Sequence, residues 1–238
     1  MKKVISISLA LVFVLLAFAG CSKNTGKEQL SSQAVEENSE KEKEDFLSQA
    51  EEVTAEDVYN DSTNNIVSAK EKYCNKVLLL EGFIWEIEED HIVLGTSFGS
   101  TYEISVYLPT EEMVNLERYQ QIIVVGKTTD EIVEVPKSES NYSFHYYQMP
   151  TAYLVQDRFE YTGKIHFVAG GSYDGASFIV YVGNDNNSDY KNYAPIFFAD
   201  DVDTGSLTTD QTIKFEAKCV IRDDINIPHY SYKDAVIL

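Results

Sequence analysis

The stretch VLLLEGFIWEIE, residues 77–88, contains the pattern that decides the fold. Its first half is continuously apolar, and from Phe83 onward the side chains alternate, with Phe83 and Trp85 on one face and Glu86 on the other. Such alternation is the pattern of a half-buried β-strand. Gly82 lies in the middle of the run, where a glycine often marks a bulge or a bend. The stretch therefore predicts one long strand that bends at Gly82.

The residues after this strand predict the rest of a five-stranded set. Strands are predicted over 91–95, 102–108, 121–127 and 151–156, with a short helix over 110–119 and a long polar loop over 128–150. Five strands with a helix between the third and the fourth is the arrangement of the OB fold, a small Greek-key barrel.

The remainder of the chain repeats the same order of elements. FEYTGKIHFV, residues 159–168, matches the first strand, with Gly163 in the place of Gly82. QTIKF at 211–215 echoes QIIVV at 121–125. The other predicted strands of this second set are 177–182, 195–199, 211–220 and 232–238, with turns over 200–210 in the helix position. The chain is therefore predicted to be mainly β, with two tandem five-stranded OB-like Greek-key barrels preceded by one helix.

The helix is predicted over 54–72, with Thr54 as its N-cap and Asp57 three residues later, an approximate capping box. The helix and the strands after it resemble the tRNA_anti-like family of OB-fold domains over residues 54–156. The resemblance is carried by TAED at 54–57, Asn65, Ala69, Tyr73, Lys76-Val77 and Gly82.

The sequence departs from that family at Cys74-Asn75, where the family often has Lys-Gly, and in the long loop over 128–150. The resemblance implies an OB fold, and many family members are bacterial lipoproteins or membrane proteins of unknown function. The family name does not imply that an exported acidic protein binds tRNA, since fold is not function.

The N-terminus has the pattern of an export signal. MKK is a short positive segment, residues 4–19 are apolar apart from Ser6 and Ser8, and FAGC at 18–21 follows. This segment resembles a bacterial lipoprotein signal, in which the thiol of Cys21 would receive a diacylglyceryl group and Cys21 would become the first residue after cleavage. An ordinary cleaved signal and an uncleaved membrane anchor are the alternatives. The protein is thus predicted to be lipid-anchored to a bacterial membrane on its extracytoplasmic face, at the cell surface or in the periplasm.

The segment after Cys21 is rich in Ser, Gln, Asn, Glu and Lys and has few apolar residues. Such a composition buries too little surface to offset the entropy of ordering, so it predicts a disordered acidic tether. The expected organisation is a signal peptide at 1–20, the tether at 21–53, the helix with the first barrel at 54–157, and the second barrel at 158–238.

The charge of the chain argues against nucleic acid as a partner. The 238 residues include 39 Asp and Glu against 19 Lys and Arg, a formal net charge of −20. Phosphate contacts need clustered Lys and Arg. The three arginines, Arg118, Arg158 and Arg222, are far apart in the sequence.

No pattern in the sequence predicts a catalytic, metal or cofactor site. The four histidines have no paired spacing, and the oxygen-rich stretch at 185–189 lacks the glycine and glutamate of an EF-hand loop. No Gly-x-Ser-x-Gly elbow is present. Cys74 and Cys219 are predicted to be free thiols, with a disulfide between them as the alternative.

Aromatic residues in and near the predicted loops are the candidate surface. They either bind a ligand by stacking or pack one barrel against the other. The candidates are Tyr107, Tyr142, Phe144, His145, Tyr146, Tyr147, Tyr190, Tyr193, Tyr230 and Tyr232.

These observations predict a non-catalytic binding or interaction module. Its expected partners are the membrane, through Cys21, and an envelope protein or a small ligand. A structural or assembly component of the cell envelope is the alternative, ahead of an enzyme or a nucleic-acid binder.

Overall fold

The computed structural model describes residues 28–97, 102–136, 143–167, 178–182, 193–222 and 229–238. The chain divides into two compact units, residues 1–39 and residues 40–238. The helices are α1 Glu28–Gln49, α2 Ala55–Asn64, α3 Ile66–Tyr73 and α4 Thr110–Met113. The strands of the first half are β1 Glu51–Thr54, β2 Val77–Ile87, β3 Ile92–Gly95, β4 Tyr102–Val106, β5 Gln121–Lys127, β6 Ile132–Pro136, β7 Ser143–Met149 and β8 Thr151–Gln156. Those of the second half are β9 Phe159–Phe167, β10 Phe178–Tyr181, β11 Tyr193–Phe198, β12 Thr212–Arg222 and β13 His229–Ile237.

The segment predicted to be a disordered tether contains helix α1 and strand β1, which corrects that expectation. Glu, Lys and Gln are good helix formers, and Glu–Lys pairs four residues apart stabilise a helix without an apolar face. Within residues 40–238, the end of α1 packs on β8: the rings of Phe46 and Tyr153 lie 6.1 Å apart. The Tyr153 hydroxyl also donates to Glu42 at 2.9 Å.

The single helix predicted over 54–72 is two helices, α2 and α3, separated at Asn65. The Asn65 side chain caps α3 by accepting from the amides of Val67 at 3.2 Å and Ser68 at 3.3 Å. The predicted capping box at the start of α2 is confirmed, because Thr54 Oγ1 accepts from the Asp57 amide at 3.0 Å and the Asp57 carboxylate accepts from the Thr54 amide at 3.2 Å.

Strand β2 is the centre of the first half. It pairs with β5 as far as Phe83, with β3 from Phe83 onward, and with β1 on the side that β3 leaves empty. Gly82 is therefore the last residue before β2 gains β3 as a neighbour.

The loop predicted over 128–150 is a β-hairpin made of β6 and β7, which corrects the sequence prediction. The aromatic-rich sequence of β7 favours a strand. β7 pairs in parallel with β4, while β8 pairs with β5. Pro150 lies between β7 and β8 and lacks an amide hydrogen, so it interrupts the ladder there. The resulting eight-stranded sheet has the order β6-β7-β4-β3-β2-β5-β8, with β1 beside β2.

The second half is a closed barrel of five strands in the order β10-β11-β13-β12-β9. Its third and fifth strands, β11 and β13, are parallel, as in an OB fold. Gly163 of β9 lies one residue before the pairing with β10 begins at Lys164, which is the position that Gly82 has in β2. The prediction of a mainly β fold with an OB-like barrel is therefore confirmed in this half.

Each half has its own hydrophobic core. The first core includes Leu80, Tyr73 and Tyr147, and the second includes Ile165 and Phe215. Cys74 and Cys219 belong to different halves and are both free thiols, as predicted.

Candidate ligand-binding site

A cavity of about 250 Å³ lies where β2 changes partner, and a residue of the barrel closes one side of it. Its described lining comes from the start of α2, the middle of β2, the end of β3, the start of β5 and the start of β13. The lining residues are Thr54, Ala55, Glu56, Glu81, Gly82, Phe83, Gly95, Thr96, Ser97, Gln121 and Tyr230.

The cavity follows from the strand pairing. The pairing of β1 with β2 ends at Glu81, which faces Thr54. Along β2, the pairing with β3 starts at Phe83, which faces Gly95, the last residue of β3. Gly82 lies in the gap between them and has no side chain to fill it. A Cβ at this position would approach the Ala55 Cβ to 3.1 Å.

Two aromatic rings, Phe83 and Tyr230, form one wall. Their centroids lie 6.3 Å apart with an interplanar angle of 34°. Burial raises the pKa of Tyr230, and a side-chain hydrogen bond with Ser97 partly opposes this rise. Tyr230 therefore presents an uncharged phenol to the cavity at neutral pH, with Ser97 beside it.

The polar part of the lining is acidic. Glu81 accepts a hydrogen bond from the Gln121 side-chain amide, and Glu56 is exposed at the rim in the first turn of α2. The Thr54 hydroxyl donates to Asp57 at 2.7 Å. Among the described lining residues none is Lys, Arg or His.

Trp85 packs against two residues of the cavity lining, Gly95 and Thr96. Its Nε1 donates to the carbonyl of Thr96 at 2.7 Å, and its ring meets the ring of Tyr119 edge-on with centroids 5.3 Å apart. A Cβ on Gly95 would lie 2.6 Å from Trp85 Cδ1, so the glycine lets the indole pack flat against β3. Trp85 is the single tryptophan of the chain and contacts two lining residues.

Of the candidate aromatics, Tyr230 lines the cavity, and the others in the described residues lie elsewhere. Tyr107 stacks on His91 with centroids 4.9 Å apart, and His145 stacks on Tyr102 at 4.7 Å. Both stacks join residues of the first half.

Two further candidates belong to the cores. Tyr147 is buried and shares a 2.7 Å hydrogen bond with Ser62, and Tyr232 packs against Phe215 with centroids 5.3 Å apart. Burial raises the pKa of Tyr147 to about 12 and raises that of Tyr232 as well.

The remaining candidates are distributed between strands and the rest of the chain. Tyr146 lies on β7, and burial, followed by the charge of Glu103, raises its pKa. His145, Tyr146 and Tyr147 belong to strand β7, and Tyr230 belongs to β13, so their predicted positions in loops are wrong. Tyr232 lies in β13 as well, within the strand predicted over 232–238. Tyr142, Tyr190 and Cys21, and the side chains of Phe144 and Tyr193, lie outside the described residues.

The halves meet beside the cavity through polar contacts. Gln120, which is fully buried, forms a β-bridge with Val220, and the Ile221 amide donates to the Tyr119 carbonyl at 2.9 Å. Lys233 pairs with Glu117 at 2.5 Å. These contacts bring β13, and with it Tyr230, against β2.

Sequence reasoning missed Phe83, Glu81 and Gln121 as neighbours of Tyr230. The signal that was available is Gly82, because a glycine inside a strand marks a place where something approaches the backbone closely. The pairing of Phe83 with Tyr230 joins residues 147 positions apart and depends on how the halves pack.

In the part of the chain that the structure describes, no group of three His, Cys, Asp or Glu side chains is arranged to hold a metal ion. No described helix is both long enough and apolar enough to cross a bilayer.

The fold and the cavity define a mainly β protein with an OB-like barrel and a small polar pocket. The model of the tRNA_anti-like family matches residues 1–132, which is more than half of the chain. The chain belongs to the tRNA_anti-like family. The match begins at the first residue and ends at the start of β6, so the closed barrel of the second half lies outside it. No curated protein matches the chain.

Proposed function

We propose that this protein is a non-catalytic binding module on the extracytoplasmic face of a bacterial membrane, and that its ligand site is the cavity beside Gly82. The observation that carries the proposal is that this cavity combines an aromatic wall, Phe83 and Tyr230, with polar groups at the meeting point of five elements. A concave site with a few convergent polar groups is the usual form of a small-ligand site.

Binding is favoured over catalysis because the described lining offers no activated nucleophile. The Thr54 hydroxyl is engaged by Asp57, and Ser97 shares its hydrogen bond with Tyr230. No described Cys or His lines the cavity to act as nucleophile or base. Nucleic acid is disfavoured by the net charge of −20.

The proposed anchor is a lipid on Cys21. It is supported by FAGC at 18–21 after the apolar residues 4–19, and the family match includes this leader. Several acyl chains on one cysteine give stable membrane binding, because each buried CH₂ contributes about 0.8 kcal/mol.

We also propose that the first half is a second OB-type barrel whose fifth strand is in two pieces, β7 and β8. Tyr107, just after β4, supports this: its amide donates to the Met149 carbonyl at 3.0 Å, and its carbonyl accepts from the Ala152 amide at 3.2 Å. The residue after β4, the third strand of the proposed barrel, is thus hydrogen-bonded both to the end of β7 and to the start of β8, on either side of Pro150. This arrangement would make the two halves tandem barrels.

An assembly component of the envelope is the second candidate. Among the described strands, β6 is at the end of its sheet with β7 as its one neighbour, and the Val133 side chain on it is 39% exposed. An uncovered edge strand is a template for strand addition by another protein.

The proposal is tested by the melting temperature of the full chain in a nonionic detergent, measured with a panel of small charged and neutral compounds. A compound that binds the folded state raises the melting temperature. Gly82→Ala fills the cavity with a methyl group and should weaken this response, while Gly163→Ala, at the matching position of the barrel, should retain it. A panel that leaves the wild-type melting temperature unchanged would contradict the binding function.

The anchor is tested separately by labelling cells with a radioactive fatty acid. The wild-type protein should take up the label and fractionate with membranes. Cys21→Ala should lose the label and leave the membrane fraction. A wild-type protein without label would overturn the proposed anchor and leave the cavity proposal standing.

A further inference from the structure

We infer that the cavity binds an organic cation of about the size of choline, that is, an ammonium group on a short carbon chain. The inference rests on the proposed function, because it names the ligand class of the same cavity. Three features of the lining support it: the sign of its charges, its aromatic wall, and the balance between its hydrogen-bond donors and acceptors.

The charges around the cavity are negative. Glu56 and Glu81 line it, and the described lining contains no cationic side chain. The chain as a whole has a formal net charge of −20, so its overall field has the same sign as the charges of Glu56 and Glu81. A cation entering the cavity is attracted by both, and an anion is repelled.

The aromatic wall suits a cation. Phe83 and Tyr230 present two rings with centroids 6.3 Å apart to the same space. The face of an aromatic ring attracts ammonium groups, and desolvation strengthens this attraction. Burial of Tyr230, which raises its pKa, also keeps its ring neutral. A ring that carried a negative phenolate would repel a carboxylate neighbour such as Glu81.

Two side-chain donors of the lining are already in use. The Gln121 amide donates to Glu81, and the Thr54 hydroxyl donates to Asp57. The carboxylates of Glu56 and Glu81 add acceptor oxygens to the lining. A ligand that donates or carries positive charge fits this balance better than a sugar, whose hydroxyls need acceptors and donors together.

The size of the cavity limits the ligand. Its volume of about 250 Å³ is below the range of about 300–1,000 Å³ that holds drug-sized molecules. A choline or a short diamine fits this space, and a larger ligand would extend beyond it.

The test uses Trp85, whose indole is hydrogen-bonded to the Thr96 carbonyl at the cavity wall. Its fluorescence reports on the cavity without a label, because the chain has one tryptophan. The full chain in a nonionic detergent is titrated with choline, with the uncharged isostere in which carbon replaces the ammonium nitrogen, and with glucose. We expect a saturable change with choline and none with the isostere or glucose over the same concentrations.

Three variants identify the groups responsible. Glu81→Gln keeps an acceptor for Gln121 but removes the charge, and should weaken choline binding about tenfold. Tyr230→Leu should weaken it by a similar factor, and Tyr230→Phe, which keeps the ring, by less. Glu71→Gln changes an exposed carboxylate on α3, away from the cavity, and should leave the affinity unchanged.

The outcomes separate the inference from the proposed function. If the isostere or glucose binds as tightly as choline, or if Glu81→Gln retains full affinity for choline, the inference of a cationic ligand is wrong and the proposed binding function stands. If neither choline nor any compound of the wider panel changes the fluorescence or the melting temperature, both fail. If Glu81→Gln does not fold, the salt dependence of choline binding by the wild-type protein replaces it. The affinity should fall as the salt concentration rises, because salt screens the attraction between the ligand and the carboxylates. An affinity that does not depend on salt would overturn the inference.

Discussion

At the scale of single residues, Asp61 joins the two helices that cover the first half. Its carboxylate accepts hydrogen bonds from Lys72 Nζ at 2.7 Å and from the Tyr73 hydroxyl at 2.5 Å. The bond from Lys72, followed by that from Tyr73, lowers the pKa of Asp61 below its ordinary value of 3.8. Burial raises the pKa of Tyr73 to about 12, so the phenol remains a donor throughout the range in which the protein is studied.

The replacement Asp61→Asn tests this link through its pH dependence. A carboxylate whose pKa is lower in the folded state stabilises the fold at pH values above its unfolded pKa, and this contribution disappears as the pH falls through the folded pKa. The side chain is 41% exposed, so solvent screens it and the variant should lose about 0.5–1 kcal/mol at neutral pH. Urea unfolding from pH 7 to pH 3 should show the two proteins converging below about pH 4. A constant difference across this range would assign the loss to packing.

The paired glycines give a second test at this scale. A Cβ on Gly163 would lie 2.9 Å from Val180 Cγ2 and 3.2 Å from the Tyr181 carbonyl oxygen, whereas one on Gly82 would lie 3.1 Å from the Ala55 Cβ. Gly163→Ala and Gly82→Ala should each destabilise the protein by about 1–3 kcal/mol. Gly163→Ala should cost more, because its Cβ would approach both side chain and backbone more closely, at 2.9 and 3.2 Å, than a Cβ on Gly82 would, at 3.1 and 3.4 Å. Thermal melts that show no loss for either variant would contradict the tight approach at both glycines.

The matching positions of the paired glycines could be predicted from the sequence, and the residues around the cavity could not. The irregularity of β2 lies between Ile84 and Glu86 rather than at Gly82, where the bend was predicted. Gly82 and Gly163 interrupt two similar strand patterns at matching positions, which is a local signal. Phe83 and Tyr230 meet only because β13 packs against β2, and no local pattern contains that contact. Most of the candidate aromatics were expected in loops, because Tyr and Phe near polar residues are compatible with a loop and with a strand alike.

At the scale of elements, the outer edge of β8 is closed by side chains. The Leu154 amide donates to Glu112 of α4 at 2.5 Å, and the Leu154 carbonyl accepts a hydrogen bond from Lys43 of α1. Burial raises the pKa of Glu112, while the bond from Leu154 and the charge of Lys43 oppose the rise. Edge strands that are covered in this way do not pair with other chains.

Removal of the Glu112 carboxylate tests this cover. Glu112→Ala leaves the half-buried Leu154 amide without its acceptor, which should cost about 1–3 kcal/mol. Glu112→Gln keeps an acceptor oxygen and should cost less. Hydrogen exchange of the Leu154 amide, followed by NMR, should accelerate strongly in Glu112→Ala and weakly in Glu112→Gln. Equal exchange in all three proteins would mean that other groups protect this edge.

The elements that were not predicted from the sequence, helix α1 and the hairpin of β6 and β7, lack a regular spacing of apolar residues. The sequence of helix α1 is rich in charged residues before Phe46, and its composition is compatible with disorder as well as with a helix held by one packed end. The hairpin of β6 and β7 lies in a stretch with many polar residues, and its pairing with β4 is non-local. Strands β5 and β8 begin and end at the predicted residues, whereas β2 ends one residue and β4 two residues earlier than predicted.

At the scale of the whole molecule, two separate hydrophobic cores are joined by a junction that combines polar contacts with one aromatic pair. The cores share no residue. The described contacts across the junction include the bridge of Gln120 with Val220, the pair of Lys233 with Glu117, the hydrogen bond from Lys218 to the Asn115 carbonyl and the ring pair of Phe83 with Tyr230. Each half therefore has the means to fold independently, although the boundary of the halves near residue 157 comes from the repeat in the sequence.

A fragment of residues 40–157 tests whether the first half folds alone. It keeps the complete first core, α1 from Glu40 onward, and the carbonyl of Asp157 that accepts from the Gln120 side chain at 3.1 Å. It loses the bridge to Val220 and the pair with Lys233, which together should cost about 1–3 kcal/mol.

We expect a cooperative melt of this fragment at a lower temperature than the corresponding transition of the full chain, and resistance to limited proteolysis. Lys233→Ala in the full chain, which removes one contact across the junction, should reproduce a small part of that shift. A fragment without a cooperative transition would mean that the barrel supplies part of the first half's stability, and that the two halves are one folding unit.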